Sequence, residues 1–458
     1  MKISIYSAIA ALLTLTSCVQ ESPEVAGFPE KGNRIFFRSY LPSVDQTRGA
    51  AMSNDNLTEC RVSCINPYDP ELIETGSNKI RPYFSDIRFF KNAEGRFVAQ
   101  ESDSCFWPST TGNLHFFAYY PSVESMRQAQ ETGTGSFKLV NNSIMEEDIP
   151  VIDYRLTNFT VAPDIADQVD FIAACSEGTQ QSNGDSGMVL DFHHQMARID
   201  LLAWSGNIRY NLEIAGVRIG NALTEGEFNF SSIASSPAGT GEWLNTKQSI
   251  IQHIFTEGES IVYLSKTGGS HDSQEAATSI TGTAGGAMVI PMTERIEAWE
   301  GLDDPDIGME GYRTDKLYIS VLIRVRNMAD EVVYPYPDDQ YNIPAVYLSV
   351  GNDGKVIRRV YKIDGEYYTS DVNSEEFKYE PGDSEEIRGF CWAALPVAAK
   401  WEAGKIYTYR LNYTNGIGWH DPEDPHPGEP IINDRVIVNV EVSDWKDGGS
   451  TDMTVPRK

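Results

Sequence analysis

Positive charge is scarce in this chain. Its 458 residues carry 37 Lys and Arg against 66 Asp and Glu, a formal net charge of −29. A surface of that sign repels phosphate backbones and anionic lipid headgroups, which excludes nucleic acid and acidic membrane surfaces as partners. The acidic residues are scattered rather than massed, so they read as a solvated folded surface and not as an acidic tail. Long apolar runs are also lacking. Beyond the first eighteen residues, no segment is long and apolar enough to cross a membrane as a helix. Cysteine is sparse, six in all, with no Cys-x-x-Cys pair. That removes a zinc ribbon and a thioredoxin-like centre. There is no G-x-S-x-G, no H-E-x-x-H, no P-loop and no G-x-G-x-x-G after a strand. Nothing argues for an enzyme, and neither a cofactor nor a metal is expected.

What is present begins with a leader. Lys2 supplies a positive charge, an apolar run follows, and it ends in Leu15-Thr16-Ser17-Cys18. The run is too short for a transmembrane helix and reads as a secretory signal over residues 1–18. A cysteine directly after two small residues resembles a bacterial lipobox, in which the thiol is acylated and the signal is removed in front of it. Cys18 would then open the mature chain and carry the palmitate-type acyl groups that hold it to a membrane. Five cysteines remain: Cys60, Cys64, Cys105, Cys175 and Cys391. At least one must be free or intermolecular. On one strand Cys60 and Cys64 would lie about 13 Å apart, beyond disulfide reach. They pair only if Arg61-Val62-Ser63 turns or coils, and buried free thiols are the expected state for most of the five.

Residues 19–33 are polar and hold Pro and Gly, as a tether does. Beyond them the pattern is nearly all β, in short runs of period-two alternation. In residues 317–326, Leu317, Ile319, Val321, Ile323 and Val325 alternate with Tyr318, Ser320, Leu322, Arg324 and Arg326. Residues 197–204, 406–413 and 435–443 repeat the scheme, each with one dry face and one mostly wet face. A strand in a two-sheet sandwich needs that pattern. Turns are expected at Asn352-Asp353-Gly354, Asp364-Gly365 and Asp447-Gly448-Gly449. No long stretch has a 3.6-residue period, so helices should be few and short. The polar segment 178–187 places a domain boundary near residue 187. Three loops rich in Gly, Ser, Pro or acid follow, at 265–286, 300–311 and 416–429, and are expected on the surface.

Three clusters hold ligand-type side chains. Asp191, His193 and His194 read as polar residues at a strand end. The stretch from His420 to His426 holds two histidines and three carboxylates, and its prolines make it an exposed loop. Asp303, Asp304, Asp306 and Glu310 lack the spacing of a calcium loop. None is expected to hold a metal.

Several segments, taken in order, resemble the fimbrillin family, the type V pilus subunits of Gram-negative gut and oral anaerobes. Cys105-Phe106-Trp107-Pro108 and Leu114-His115-Phe116-Phe117-Ala118-Tyr119-Tyr120-Pro121 come first. Val169-Asp170-Phe171-Ile172-Ala173-Ala174, Val189-Leu190-Asp191-Phe192-His193-His194-Gln195-Met196-Ala197-Arg198-Ile199 and Met288-Val289-Ile290-Pro291 follow. Trp401-Glu402-Ala403-Gly404-Lys405-Ile406-Tyr407 and Val442-Ser443-Asp444-Trp445 close the set. The resemblance implies an all-β chain of two tandem β-sandwich domains, transthyretin-like with Greek-key connections, divided as 49–187 and 188–458. It also implies export to the outer membrane surface as a lipoprotein. A trypsin-like protease then cuts after an arginine, discarding the lipid and the first strand.

Here residues 34–41 alternate as a strand should, with Ile35, Phe37 and Leu41 on one side. Arg48-Gly49 follows in a small, polar, protease-accessible stretch and matches the family's cut position. Arg34 and Arg38, inside the strand, would be shielded. Residues 19–48 are thus a tether and removable strand. Their loss leaves an apolar groove for a strand from a neighbouring subunit, giving head-to-tail assembly into a surface fimbrium. The expected partners are other fimbrial subunits, the outer membrane through a lipid anchor, and host or bacterial surface glycans or proteins. Two alternatives stay open: a lipid-anchored glycan-binding protein, and an uncut anchor subunit. The chain runs only 13 residues past Trp445. That is short for a separate donor strand and points to a tip or accessory adhesin.

Overall fold

The computed structural model describes residues 33–41, 53, 56–100, 103, 105–109, 112–129, 137–266, 268–304, 306–307, 309, 312–336, 344–370, 376–432, 436–445 and 447–453. Their regular secondary structure is almost wholly β-strand. The helices among them are short, the α-helices being Val123–Ala129 and Gln180–Asn183.

An eight-stranded sheet takes its strands in the spatial order Met188–Asp191, Phe37–Tyr40, Arg96–Ala99, Pro82–Lys91, Glu59–Ile65, Leu114–Tyr120, Ile172–Gly178, His193–His194. Leu114–Tyr120 is nearly all apolar because it is covered on both sides. Leu114, Phe116 and Ala118 enter one core with Phe37, Phe89 and Phe97. Phe117 and Tyr119 enter the main core, where they meet Tyr154 and Phe230.

A thirteen-stranded sheet is organised around Tyr210–Asn229, a twenty-residue strand whose ladder is interrupted by register shifts. Such bulges let so long a strand bend and twist around the core. A six-stranded sheet packs against it and includes Ala197–Trp204 running parallel to Lys405–Asn412. Ile199, Leu201, Tyr409 and Leu411 of this sheet share the main core with Ile214, Val217, Ile319 and Val321 of the larger one. The sheets do not stop at residue 187. Tyr154–Thr160 pairs with Tyr210–Asn229, and Met188–Asp191 pairs with Phe37–Tyr40.

Two expectations need correction. Tyr318–Asn327 has no wet face over most of its length, and residues 318–325 are all buried. It lies between Tyr210–Asn229 and Glu385–Pro396, inside the sheet. Arg324 on its second face is neutralised by Glu213, 3.2 Å away, rather than by water. The turn expected at 447–449 falls earlier. Asp447 already pairs with Asp444, and Asp447–Met453 continues as an antiparallel strand at the sheet's edge. The hairpin tip at Asp364-Gly365 has the form its sequence demands, with φ of 49° and 84° at the two residues. Two positive φ values match the right-handed twist of the flanking strands, and Gly reaches such values at no steric cost.

Candidate strand-exchange groove

Residues 33–41 enter the first sheet from their own alternation. Ile35, Phe37 and Leu41 are 3%, 0% and 3% exposed, whereas Tyr40 is 59% exposed. The Phe37 ring sits edge-on against Phe89 at 4.9 Å and Phe116 at 5.3 Å, an arrangement favoured by ring quadrupoles. At the strand's start, Ile35 N–H donates to Cys105 O at 2.9 Å, and Trp107 N–H donates to Asn33 O at 2.6 Å. The segment around Trp107, which carries part of the family resemblance, is therefore also the clamp on the incoming strand.

Phe37–Tyr40 is a second strand, not an edge. It runs parallel to Met188–Asp191, pairing Phe37 with Met188 and Tyr40 with Asp191. On its other side Phe37 and Arg38 pair with Phe97 and Arg96, antiparallel. Hydrogen bonds from Met188 N–H to Phe36 O and from Phe192 N–H to Tyr40 O extend the contact at both ends. Gly187 makes the turn into the neighbouring strand with φ +76°, and a Cβ there would stand 2.4 Å from the Phe36 ring. Both reasons require glycine. The Arg38 side chain is exposed, so the expected shielding does not reach it. Its backbone is paired on both sides, which denies a protease the extended, accessible chain it must grip.

Among the described residues, Met188–Asp191 has no other strand partner. Taking Phe37–Tyr40 out would open a slot between that strand and Arg96–Ala99. Phe89, Phe97, Phe116, Met188 and Leu190 would line the vacated core. Burial of Ile35, Phe37 and Leu41 contributes about 1.5–3 kcal/mol each, more than a surface ion pair at about 0–1 kcal/mol. Cys18, Arg48 and Gly49 lie outside the described residues.

The remaining candidates separate. His193 Nε2 lies 3.2 Å from Asp191, while His194 turns inward, 2.9 Å from Asp170, and stacks on Trp445 at 4.2 Å. The two imidazoles do not converge. The segment 416–429 is not the exposed loop expected. His420 and Asp421 are each 1% exposed. Asp421 accepts a hydrogen bond from Ser320 Oγ and pairs with Arg218 at 3.3 Å, while His420 Nδ1 lies 3.2 Å from Asp424. A row of polar residues between prolines looks solvated, but these find their partners on strands far away in sequence. Asp304 is also buried, accepting from Tyr312 Oη at 3.2 Å. Among the described residues no group of His, Cys, Asp and Glu could hold a metal ion. Cys60 and Cys64 share the strand Glu59–Ile65 and form no disulfide among the described residues, nor do Cys105, Cys175 and Cys391. Burial pushes the Cys60 and Cys64 thiols up, away from the reactive thiolate.

Sequence reading missed two buried polar sites. Glu213 is 5% exposed and collects Arg324, Arg326 and Arg388 from three strand positions. His253 lies 2.9 Å from Asp164 and 3.0 Å from Glu259. Arg324 and Arg326 share one strand, Arg388 lies on another, and Asp164 is far from His253 in sequence, so local spacing signals neither site.

Among the described residues no helix is long and apolar enough to cross a membrane. The sequence profile of the fimbrillin-like family matches residues 71–300. No curated protein matches the chain. Solved structures similar to it include a fimbrial protein from Bacteroides vulgatus, 11% identical, covering 90% of this chain and 99% of that one, with a TM-score of 0.44. A candidate cell adhesion protein from Bacteroides ovatus is 15% identical, covers 91% and 98%, and has a TM-score of 0.36. Another, from Bacteroides uniformis, is 12% identical, covers 90% and 98%, and has a TM-score of 0.32.

Proposed function

This chain belongs to the fimbrillin-like family, and on that premise we propose that it is a structural or adhesive subunit of a cell-surface fimbria. It has no enzymatic role and needs no cofactor. It is exported as a lipoprotein acylated on Cys18, held at the outer membrane surface, and matured by cleavage between Arg48 and Gly49. Cleavage frees the strand that carries Ile35, Phe37 and Leu41. A strand from a neighbouring subunit then takes its place, and repetition gives a head-to-tail filament. Its partners are accordingly other fimbrial subunits. The division into units 49–187 and 188–458 is part of the same proposal.

The observation that carries this reading is the seat of Phe37–Tyr40 between two strands, with its inward side chains in a closed aromatic core. A slot with ladders on both sides and rings beneath recognises another strand better than any small molecule. The uncut precursor is complete in itself and should be monomeric. Limited trypsin should cut after Arg48 before most other sites. Oligomers should then appear slowly, because the cut strand must first leave its ladders.

Edman sequencing of the protein from purified surface filaments tests the reading. A mature N-terminus at Gly49 supports it. An acylated Cys18 in those filaments supports the uncut anchor instead. Arg48→Ala should hold the protein monomeric and lipid-anchored, and filaments forming as fast as wild type would remove cleavage from the mechanism. Cys18→Ala should abolish incorporation of labelled palmitate.

A further inference from the structure

The strands Val346–Gly351, Val356–Ile363, Glu366–Ser370 and Glu376–Lys378 lie side by side at one edge of the thirteen-stranded sheet. Register places Tyr347 opposite Val360, Lys362 opposite Tyr367, and Thr369 opposite Phe377. By the alternation of side chains along a strand, Tyr347, Arg358, Lys362, Tyr367, Phe377 and Tyr379 share one face. Contacts agree. Tyr347 and Tyr367 meet ring to ring at 5.5 Å, Lys362 Nζ lies 5.6 Å from the Tyr347 ring, and the Arg358 guanidinium lies 5.2 Å from that of Tyr379. Phe377 is 50% exposed. Arg358 and Lys362 are exposed and form no ion pair with another described residue, though the Arg358 charge reaches Glu385, which accepts from the Tyr379 hydroxyl beside it. In a chain of net charge −29 that is a local exception.

We propose that this face binds an acidic oligosaccharide, one bearing uronate or sulfate groups. Pyranose rings would stack on Tyr367 and Phe377, and their acid groups would pair with Arg358 and Lys362. The apolar surface here is made of flat rings, not of the branched aliphatic anchors that seat a protein helix. A pyranose face of C–H groups carries slight positive charge and meets the negative face of an aromatic ring by the attraction that draws cations to it. Tyrosine adds a hydroxyl at the rim. The guanidinium fork matches carboxylate and sulfate oxygens, and the lysine supplies a second positive point. Arg358 and Lys362 are four residues apart on one strand, about 13 Å. That separation suits an extended chain rather than a single sugar. Elsewhere the acidic surface repels such a polymer, so capture depends on this patch and weakens as salt screens it.

The test uses the full chain on immobilised heparin and on polygalacturonate oligosaccharides by biolayer interferometry, with dextran as a neutral control. Wild type should bind at least one acidic probe, more weakly with rising salt, and leave dextran unbound. Arg358→Gln/Lys362→Gln should weaken binding by about tenfold or more. Phe377→Ala should weaken it with the charges intact. Arg359→Ala/Tyr361→Ala, a cation and ring 5.4 Å apart on the opposite face, should leave it unchanged. If Phe377→Ala unfolds, the exposed double variant alone decides. Absence of binding to both acidic probes overturns the proposal. So does binding that survives the double variant, or falls equally in the opposite-face variant. Sedimentation that finds self-association abolished by the double variant, with no oligosaccharide bound, would make the face a contact for a second copy and would also overturn it.

Discussion

Phe37 is the residue on which the first sheet closes. It has no exposed surface and touches Phe89 and Phe116 edge-on. Phe37→Ala leaves a ring-sized void in a core that cannot collapse onto it, and should cost about 3–5 kcal/mol by urea denaturation of the uncut protein. His253 sets a different test. Burial opposes a charge on its imidazole, but hydrogen bonds to Asp164 and Glu259 outweigh burial and raise its pKa to about 9. Glu259 is opposed by burial as well, yet its bonds to His253, Thr283 and Thr256 lower it to about 2. The histidine's folded value lies above its unfolded value of about 6.5. Its stabilisation is therefore complete below about pH 6.5 and lost as pH rises through about 9. The glutamate's is complete above about pH 4.5 and lost as pH falls toward 2. Wild type should lose melting temperature between about pH 6.5 and 9, and His253→Gln should flatten that decline. An equal decline in both proteins would show that other groups cause it.

At the scale of the element, strands were legible wherever one face met solvent. Ala197–Trp204 stands where its alternation of Ala197, Ile199, Leu201 and Ala203 places it. The 34–41 segment likewise turns its apolar positions inward. Legibility failed where a strand was covered twice. In Tyr318–Asn327 the polar positions are neutralised by side chains from other strands, and a sequence does not say which strands will be neighbours. Failure at 416–429 has the same origin. Ser320, Arg218 and Tyr334 come from three remote strands and turn a polar loop into a packed one. His420→Ala should therefore cost about 1–3 kcal/mol by leaving a buried carboxylate at Asp424 without its donor. His426→Ala, a half-exposed side chain 3.8 Å from Glu429, should stay within about 0.5 kcal/mol. Equal effects of the two substitutions, measured by chemical denaturation, would contradict this account.

On the whole-molecule scale, strands are exchanged across the boundary proposed at residue 187. Tyr154–Thr160 joins the large sheet, and the stacked pair His194–Trp445 ties the end of the first sheet to the C-terminal hairpin. Calorimetry of the uncut chain distinguishes the possibilities. Two transitions would support independent units at 49–187 and 188–458. A single cooperative transition would indicate that the shared core governs unfolding.

The double ladder around Phe37–Tyr40 also has a mechanical consequence. A neighbour's strand seated in that slot would be pulled along its own axis when the filament is stretched. Hydrogen bonds on both flanks would then carry the load together, in shear, instead of breaking one after another as a zipper does. Under tension the lifetime of such a joint is set by the rate of strand extraction rather than by equilibrium affinity. The aromatic rings beneath would have to slide past one another before any bond could re-form.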